Sequence, residues 1–456
     1  MLAQLKAGRL TGIKRLDLSC GLTEFPREIF DLADSLEILN LSGNQLSSLP
    51  DDLPRLHKLR IIFCSDNLFT ELPTVIGQCK NLSMVGFKAN QISRVPDASL
   101  APTLQWLILT DNRIQTLPSS IGQCTQMQKL MLAGNELHDL PDELANCTQL
   151  ELLRLSANRF SSLPNWLLAM SKLAWLAIAG NPLTDSFEAA REAISEIEAI
   201  RKFDWQHIDL GEKLGEGASG TIYQAKLLSS DFSSKDVAVK LFKSDVTSDG
   251  LPRCEMAASL AVGMHAHVVG VLGEVVHHPQ GAKGLVMPLV ASDYTNLAQP
   301  PSLESRTRDV YVQHVFFSLQ EVLQLARGAA QAVAHIHACG ILHGDLYAHN
   351  ILRNNNGCGL LGDFGAASFL PQKDMGMSQA LQRIEARAFG ILLGELLARC
   401  ACSEEDESEG EDLAISRSKL VDLLQHCTRL EVSSRPLFAE ITTALNFHMD
   451  DANSIS

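Results

Sequence analysis

Asp345, Asn350 and Asp363 are the residues whose types and spacing first point to chemistry. They lie in His343-Gly-Asp-Leu-Tyr-Ala-His-Asn350 and in Asp363-Phe364-Gly365. A carboxylate can accept a proton, and carboxylate and amide oxygens are the hard ligands that Mg²⁺ demands. Upstream, Leu214-Gly215-Glu216-Gly217-Ala218-Ser219-Gly220-Thr221-Ile222 contains Gly-x-Gly-x-x-Gly. Glycines at that spacing let backbone N–H groups approach phosphate oxygens with no Cβ in the way. Alone, the string is as readily an ordinary turn. Val237-Ala238-Val239-Lys240 follows, an alternating strand that ends in a cation able to reach phosphates. Glu255 comes next and can pair with Lys240, although a single Glu on a helix is usually just solvated.

These motifs need a sheet to carry Lys240, a helix to carry Glu255 and loops to carry the oxygen ligands. Their order resembles the eukaryotic-type protein kinase catalytic domain, here residues 203–447. Ala388-Phe-Gly-Ile-Leu-Leu-Gly-Glu-Leu396 resembles a buried helix of that family, and Ser433-Ser-Arg-Pro-Leu-Phe-Ala-Glu-Ile441 its late Arg-Pro motif. The resemblance implies an α+β bilobal fold that binds ATP and Mg²⁺. It implies transfer of the γ-phosphate to a protein hydroxyl, serine or threonine ahead of tyrosine. By position, Asp345 accepts the proton, Lys240 orients phosphates with support from Glu255, and Asn350 and Asp363 hold Mg²⁺. Leu214 to Ile222, Ala238, Met287 and Leu289 frame the nucleotide. In Gly284-Leu-Val-Met-Pro-Leu-Val290, Met287 takes the gatekeeper place. Pro288 has no N–H, so the donor to adenine falls to a neighbour such as Leu289 or Val290.

The chain departs from that family at several points. Gly344 stands where an Arg usually precedes the catalytic Asp, which argues against activation through a phosphorylated loop. Tyr347 stands where serine/threonine kinases keep a Lys, and His349 replaces that charge only when protonated. No Ala-Pro-Glu follows Asp363, and the helix with Phe389 and Gly390 is expected about 20 residues after it. Glu385 is then the candidate acidic partner of Arg435. These departures motivate a second reading, an ATP-binding pseudokinase that serves as a scaffold.

The first 185 residues repeat. Asn44, Asn67, Asn90, Asn112, Asn135, Asn158 and Asn181 recur every 23 residues, with one step of 22. Each closes an apolar-x-x-apolar-x-apolar-x-x-Asn string, and Pro50, Pro73, Pro96, Pro118, Pro141 and Pro164 keep the same beat. Leu-x-Leu puts two side chains on one face of a short strand, Asn turns the chain, and stacked copies form a continuous core. This resembles the 23-residue class of leucine-rich repeats, an α/β solenoid with a parallel sheet on its concave face. The outward strand positions include Ile38, Ile61, Phe63, Met84, Trp106, Ile108, Met131, Leu152 and Trp175. Large apolar groups there suggest a docking face for a protein substrate or regulator. The alternative is that flanking side chains or the rest of the chain cover them.

The remaining features set bounds. A 46% hydrophobic, 20% charged composition is that of a globular chain. The net charge of −15 disfavours nucleic acid and anionic membrane surfaces. No apolar run approaches the roughly 18–20 residues of a membrane span, and no signal-type h-region opens the chain. The 11 cysteines are dispersed, so a reduced, cytoplasmic setting is expected. Cys79, Cys124 and Cys147 share one repeat position and read as structural. The expected order is solenoid 1–185, a linker or capping helix 186–202 with Phe187, Ala190, Ile194, Ile197 and Ile200 on one face, the catalytic domain, and a tail 448–456. The acidic run Glu404–Asp412 reads as a solvated loop.

Overall fold

The computed structural model describes residues 1–185, 201–228, 234–243, 246–247, 249–371, 373–401 and 411–453. Residues 186–200 of the expected helix and 404–410 of the acidic run fall outside them, and Lys202, expected to end that helix, lies in a strand. The chain divides into two compact units. The first is Met1–Leu173 with Val246–Ser248, and the second is Ala174–Asp245 with Asp249–Ser456.

In the first unit, seven three-residue strands lie side by side in parallel register. They are β1 (Arg15–Asp17), β2 (Ile38–Asn40), β3 (Ile61–Phe63), β4 (Met84–Gly86), β5 (Trp106–Ile108), β6 (Lys129–Met131) and β7 (Leu152–Arg154). Their central residues Leu39, Ile62, Val85, Leu107, Leu130 and Leu153 are 0% exposed. The proline after each turn sets an extended φ and leads into a short 3₁₀ return leg, as Pro73 does for Thr74–Gln78 and Pro118 for Ser119–Gln123.

The repeated Asn works as a ladder rung. Asn112 Nδ2 donates to the carbonyls of Phe87 (2.9 Å) and Leu109 (3.0 Å), and its Oδ1 accepts from Ile92 N (2.9 Å). Asn67, Asn135 and Asn158 repeat the pattern. The residue before each Asn is left-handed: Gly43, Asp66, Ala89, Asp111, Gly134, Ala157 and Gly180. Asp suits that conformation better than Ala does, so Ala89 and Ala157 carry backbone strain. The three recurrent thiols are inert. Cys79, Cys124 and Cys147 donate to the carbonyls of Val75, Ala101 and Ile121. Burial pushes them up to about 11, 11 and 12.

The proposed docking stripe narrows. Ile61, Met84 and Leu152 are buried, and so is Trp175. Ile38, Phe63, Trp106, Ile108 and Met131 are half-buried. Neighbours on the same face cover one another. A Cβ on Gly86 would sit 2.6 Å from Phe63 Cδ1, so glycine makes room for that ring. Lys129 Nζ lies 4.1 Å from the Trp106 ring centroid, and Trp106 Nε1 reaches Met131 Sδ at 3.4 Å.

The second unit opens with β8 (Trp175–Ala177) and continues with a six-stranded sheet. The sheet's strands are β9 (Lys202–Asp204), β10 (Ile208–Glu216), β11 (Gly220–Leu228), β12 (Ser234–Phe242), β13 (Gly273–Val276) and β14 (Gly284–Pro288), in the order β10-β11-β12-β14-β13-β9. Phe203, Ile208, Ala225, Val237, Val239, Val275 and Val286 form its core. Helix Pro252–Val262 follows β12. The remainder is mostly helical. Leu319–Ala338 starts with a capping box between Ser318 and Glu321 and buries Val322, Leu325, Ala329, Val333 and Ile336 at helical spacing. Helix Met375–Leu397 passes close to helix Glu411–Cys427. A Cβ on Gly390 would meet Thr428 Cγ2 at 2.7 Å and Cys427 Cβ at 2.9 Å, which explains the glycine after Phe389. Among the described residues, no helix is long and apolar enough to cross a membrane.

Asn112→Ala strands the buried Ile92 N–H, while the Phe87 and Leu109 carbonyls keep Asn90 and Asn135 Nδ2 as donors. It is expected to lower the repeat unit's stability by about 1–3 kcal/mol, the cost of one unsatisfied buried group. Urea unfolding followed by far-UV dichroism measures the shift in midpoint.

Candidate active site

Lys240 and Glu255 come together because β12 alternates. Val237 and Val239 join the sheet core, so Ala238 and Lys240 face the other way. The Lys240 ammonium donates to Glu255, which is 3% exposed on the inner face of helix Pro252–Val262. Burial raises the Glu255 carboxyl above its ordinary value. The charge of Lys240 works against the rise and that of Asp363 adds to it. Ile222 stands opposite Lys240, and Ala238 opposite Met287 in β14. Leu289 follows, half-buried.

The glycine-rich string is the turn between β10 and β11. Gly217 N donates to Gly220 O (2.9 Å), and Lys243 N to Ser219 O (2.9 Å). Glu216 accepts from Lys213 and Lys243, which hold it down at about 2. It therefore staples the turn. The three glycines serve different ends. A Cβ on Gly220 would lie 2.5 Å from the Leu241 carbonyl oxygen, so packing excludes one. Gly215 and Gly217 would meet nothing within 4 Å. Their open side leaves room that could hold a polyphosphate.

The catalytic-loop residues are tied to Asp363 through one glycine. Gly362 N donates to Asn350 O (2.9 Å), and Gly362 O faces His343 Nε2 (3.0 Å). His343 is 0% exposed, and its Nδ1 accepts from Asp345 N (3.3 Å). Asn350 Nδ2 donates to Asp345 O and Oδ2, both at 2.9 Å. The amide oxygen of Asn350 is then the atom left to ligate. Asp363 is left-handed (φ 54°), with Oδ1 accepting from Gly365 N (3.1 Å). Asn350 and Asp363 thus offer hard oxygen donors that suit Mg²⁺.

Asp309 is a participant that the sequence did not reveal. Its carboxylate takes His349 N (3.0 Å) and His349 Nδ1 (2.7 Å). Burial would lower His349, but the hydrogen bond to Asp309 and the charges of Asp309, Asp345 and Asp363 outweigh it and raise the imidazole above its ordinary value. No motif marks Asp309, which sits 40 positions before His349.

Three expectations change. Glu385, expected beside Arg435, lies under the catalytic loop. It accepts from Gly344 N (2.6 Å) and His343 N (3.4 Å) and pairs with His337 Nε2 (2.6 Å). Arg435 instead donates to the carbonyls of Arg429 (2.8 Å) and Arg383 (3.2 Å). The helix expected about 20 residues past Asp363 starts sooner, at Met375. Trp175, expected on a docking face, is 1% exposed and stacks on Tyr347.

The protein tyrosine and serine/threonine kinase family model matches residues 208–391. Leucine-rich-repeat models match 35–56, 102–160 and 125–183. The chain is a leucine-rich-repeat protein with a protein kinase domain. It is 26% identical over 279 residues to the megakaryocyte-associated tyrosine-protein kinase of Rattus norvegicus, covering 54% of this chain and 56% of that one. The Mus musculus protein of that name is 30% identical over 174 residues, 37% of this chain and 30% of its own. Fibroblast growth factor receptor 1 of Pleurodeles waltl is 24% identical over 247 residues, 47% and 30%. The chain therefore spans between 30% and 56% of the length of these relatives.

In the kinase domain, Glu385 is a buried anion whose removal reports on the loop above it. Burial alone would raise its carboxyl, but the bond and charge of His337, with His343 and the Gly344 amide, hold it below the ordinary carboxylate range. Its folded pKa lies below the unfolded one, so its stabilisation is complete above the unfolded pKa and fades as pH falls through the folded one. Glu385→Gln is expected to cost about 3 kcal/mol or more near neutrality. The gap to wild type should hold at pH 6–8 and close below about 4.3. Urea titrations across that range measure it.

Proposed function

We propose that the protein is an ATP-dependent protein kinase whose repeats recruit a protein substrate or regulator. The convergence of Lys240–Glu255, the Asn350–Asp345 pair and Asp363 supports this most directly. Asp363 lies within electrostatic reach of both Glu255 and His349, so the two halves of the site act on one space.

Lys240 would hold the ATP phosphates, with Glu255 fixing its ammonium. The Gly215–Gly220 turn would close over them. Met287 and Leu289 would border the adenine. Asp345 would take the proton of the acceptor hydroxyl as its oxygen bonds to the γ-phosphorus and the bond to the bridging oxygen of ADP breaks. Mg²⁺ held by Asn350 and Asp363 would offset phosphate charge. Such chemistry depends chiefly on positioning and electrostatics.

The sequence favours serine or threonine as acceptor, whereas the relatives are named as tyrosine kinases. Phosphoamino-acid analysis of labelled product distinguishes them. The half-buried Ile38, Phe63, Trp106, Ile108 and Met131 remain the docking residues of the repeats. The buried free thiols accord with a cytoplasmic setting.

Wild type with γ-labelled ATP and Mg²⁺ is expected to label itself or a generic protein acceptor. Asp345→Asn should reduce the label by about 10²–10⁴-fold. No label from wild type, together with ATP-dependent thermal stabilisation lost in Lys240→Met, would replace this reading with the ATP-binding scaffold.

A further inference from the structure

The strand Trp175–Ala177 bears the last copy of the repeat pattern, yet it belongs to the same compact unit as the catalytic loop. The Trp175 ring stacks on Tyr347 with centroids 4.2 Å apart and planes 5° from parallel. Its Nε1–H donates to the Leu346 carbonyl at 3.0 Å. One residue on, the Leu176 carbonyl oxygen lies 2.8 Å from where a Cβ on Gly344 would stand. The strand therefore meets the loop just before Asp345, at Gly344, and just after it, at Leu346 and Tyr347.

The contacts form a circuit. Tyr347 lies 5.1 Å from His349 between ring centroids, and His349 is fixed by Asp309. Arg308, next to Asp309, places its guanidinium carbon 5.7 Å from the Trp175 ring. A buried indole N–H must keep its acceptor, and a ring held on one face by Tyr347 has little freedom to tilt.

We propose that Trp175 is a positioning residue for phosphoryl transfer: the last repeat strand clamps the backbone on both sides of Asp345 and sets where the proton acceptor stands. This rests on the protein kinase reading. It assigns Trp175 a task inside the site, in place of a task in capturing partners.

The test uses the full chain with Trp175→Phe, Trp175→Leu, Tyr347→Leu and the double leucine variant. Leucine at 175 loses both stack and donor and should lower kcat about tenfold or more, since a misplacement of about 1 Å can cost a hundredfold. KM for ATP should stay within about twofold, and the double variant should lose no more than about twofold beyond the single, because the two residues act through one contact. Phenylalanine keeps the stack and should recover most of kcat. Unchanged or raised kcat in Trp175→Leu overturns the proposal. So does a Phe variant as impaired as the Leu variant, or a parallel loss of ATP affinity, either of which marks a merely structural role.

Hydrogen exchange gives a readout independent of turnover. Trp175→Leu should speed exchange of the peptide holding 343–350 and leave β10–β12 unchanged. If wild type transfers no phosphate, the kinase reading fails by itself, and exchange alone decides whether Trp175 holds the loop. Equal protection in wild type and variant overturns the clamp in either case.

Discussion

The site depends on one buried carboxylate beneath the catalytic loop. Glu385 is 2% exposed, and removing a carboxylate from water costs several kcal/mol unless donors compensate it. His337 and the amides of His343 and Gly344 supply three. The cost is offset only if the backbone from His343 to Gly344 adopts one shape. Gly344 at φ 75° is that shape. From there Asp345 N reaches His343 Nδ1, and Asn350 folds back on Asp345.

The same constraint explains the glycine in place of the usual arginine. A side chain at 344 would need a left-handed backbone, and its Cβ would fall between the carbonyls of Ala366 and Leu176, at 2.7 and 2.8 Å. Two backbones occupy the volume where a side chain would leave the loop. The short segment after Asp363 supplies one of them. Its strand Ser368–Phe369 pairs with the strand Ile341–Leu342, directly before the loop. The segment after Asp363 and the glycine at 344 therefore meet at one place, and the loop there is held by backbone packing and a buried anion.

Much of this was legible in the sequence, for identifiable reasons. The repeats were plain because a 23-residue period multiplies a weak signal seven times. Lys240, Asp345, Asn350 and Asp363 were readable because each sits in a short string whose local geometry is set by its neighbours. Glu255 was legible only as a candidate, by its place after Lys240, since a single Glu on a helix is usually just solvated. Asp309, Glu385 and Trp175 were not readable in their observed places. Each acts through a backbone group or a ring remote in sequence, and Trp175 bonds a residue 171 positions away. Its periodicity placed it on an outward strand position, and periodicity carries no information about what later chain packs there. Glu385 was assigned to Arg435 by charge alone, yet Arg435 donates to the carbonyls of Arg429 and Arg383, where burial and the charge of Arg387 lower it to about 10.

The basic groups of the site divide along the same line. Lys240 is fixed by an acid brought in on a helix, whereas His349 is fixed by an acid on an irregular segment beside the Trp175 ring. A lysine at 347 would place a flexible charge where Tyr347 now stacks, and it would remove the flat surface that Trp175 covers. With Tyr347 committed to packing, the nearest residue that can carry charge toward Asp345 and Asp363 is His349, two positions on. When protonated it is paired with Asp309, whose side chain has no exposure to water. A packed ring and a tethered imidazole thus stand where a mobile ammonium would otherwise lie, and the ring contact links the place of His349 to the packing of Tyr347 on Trp175.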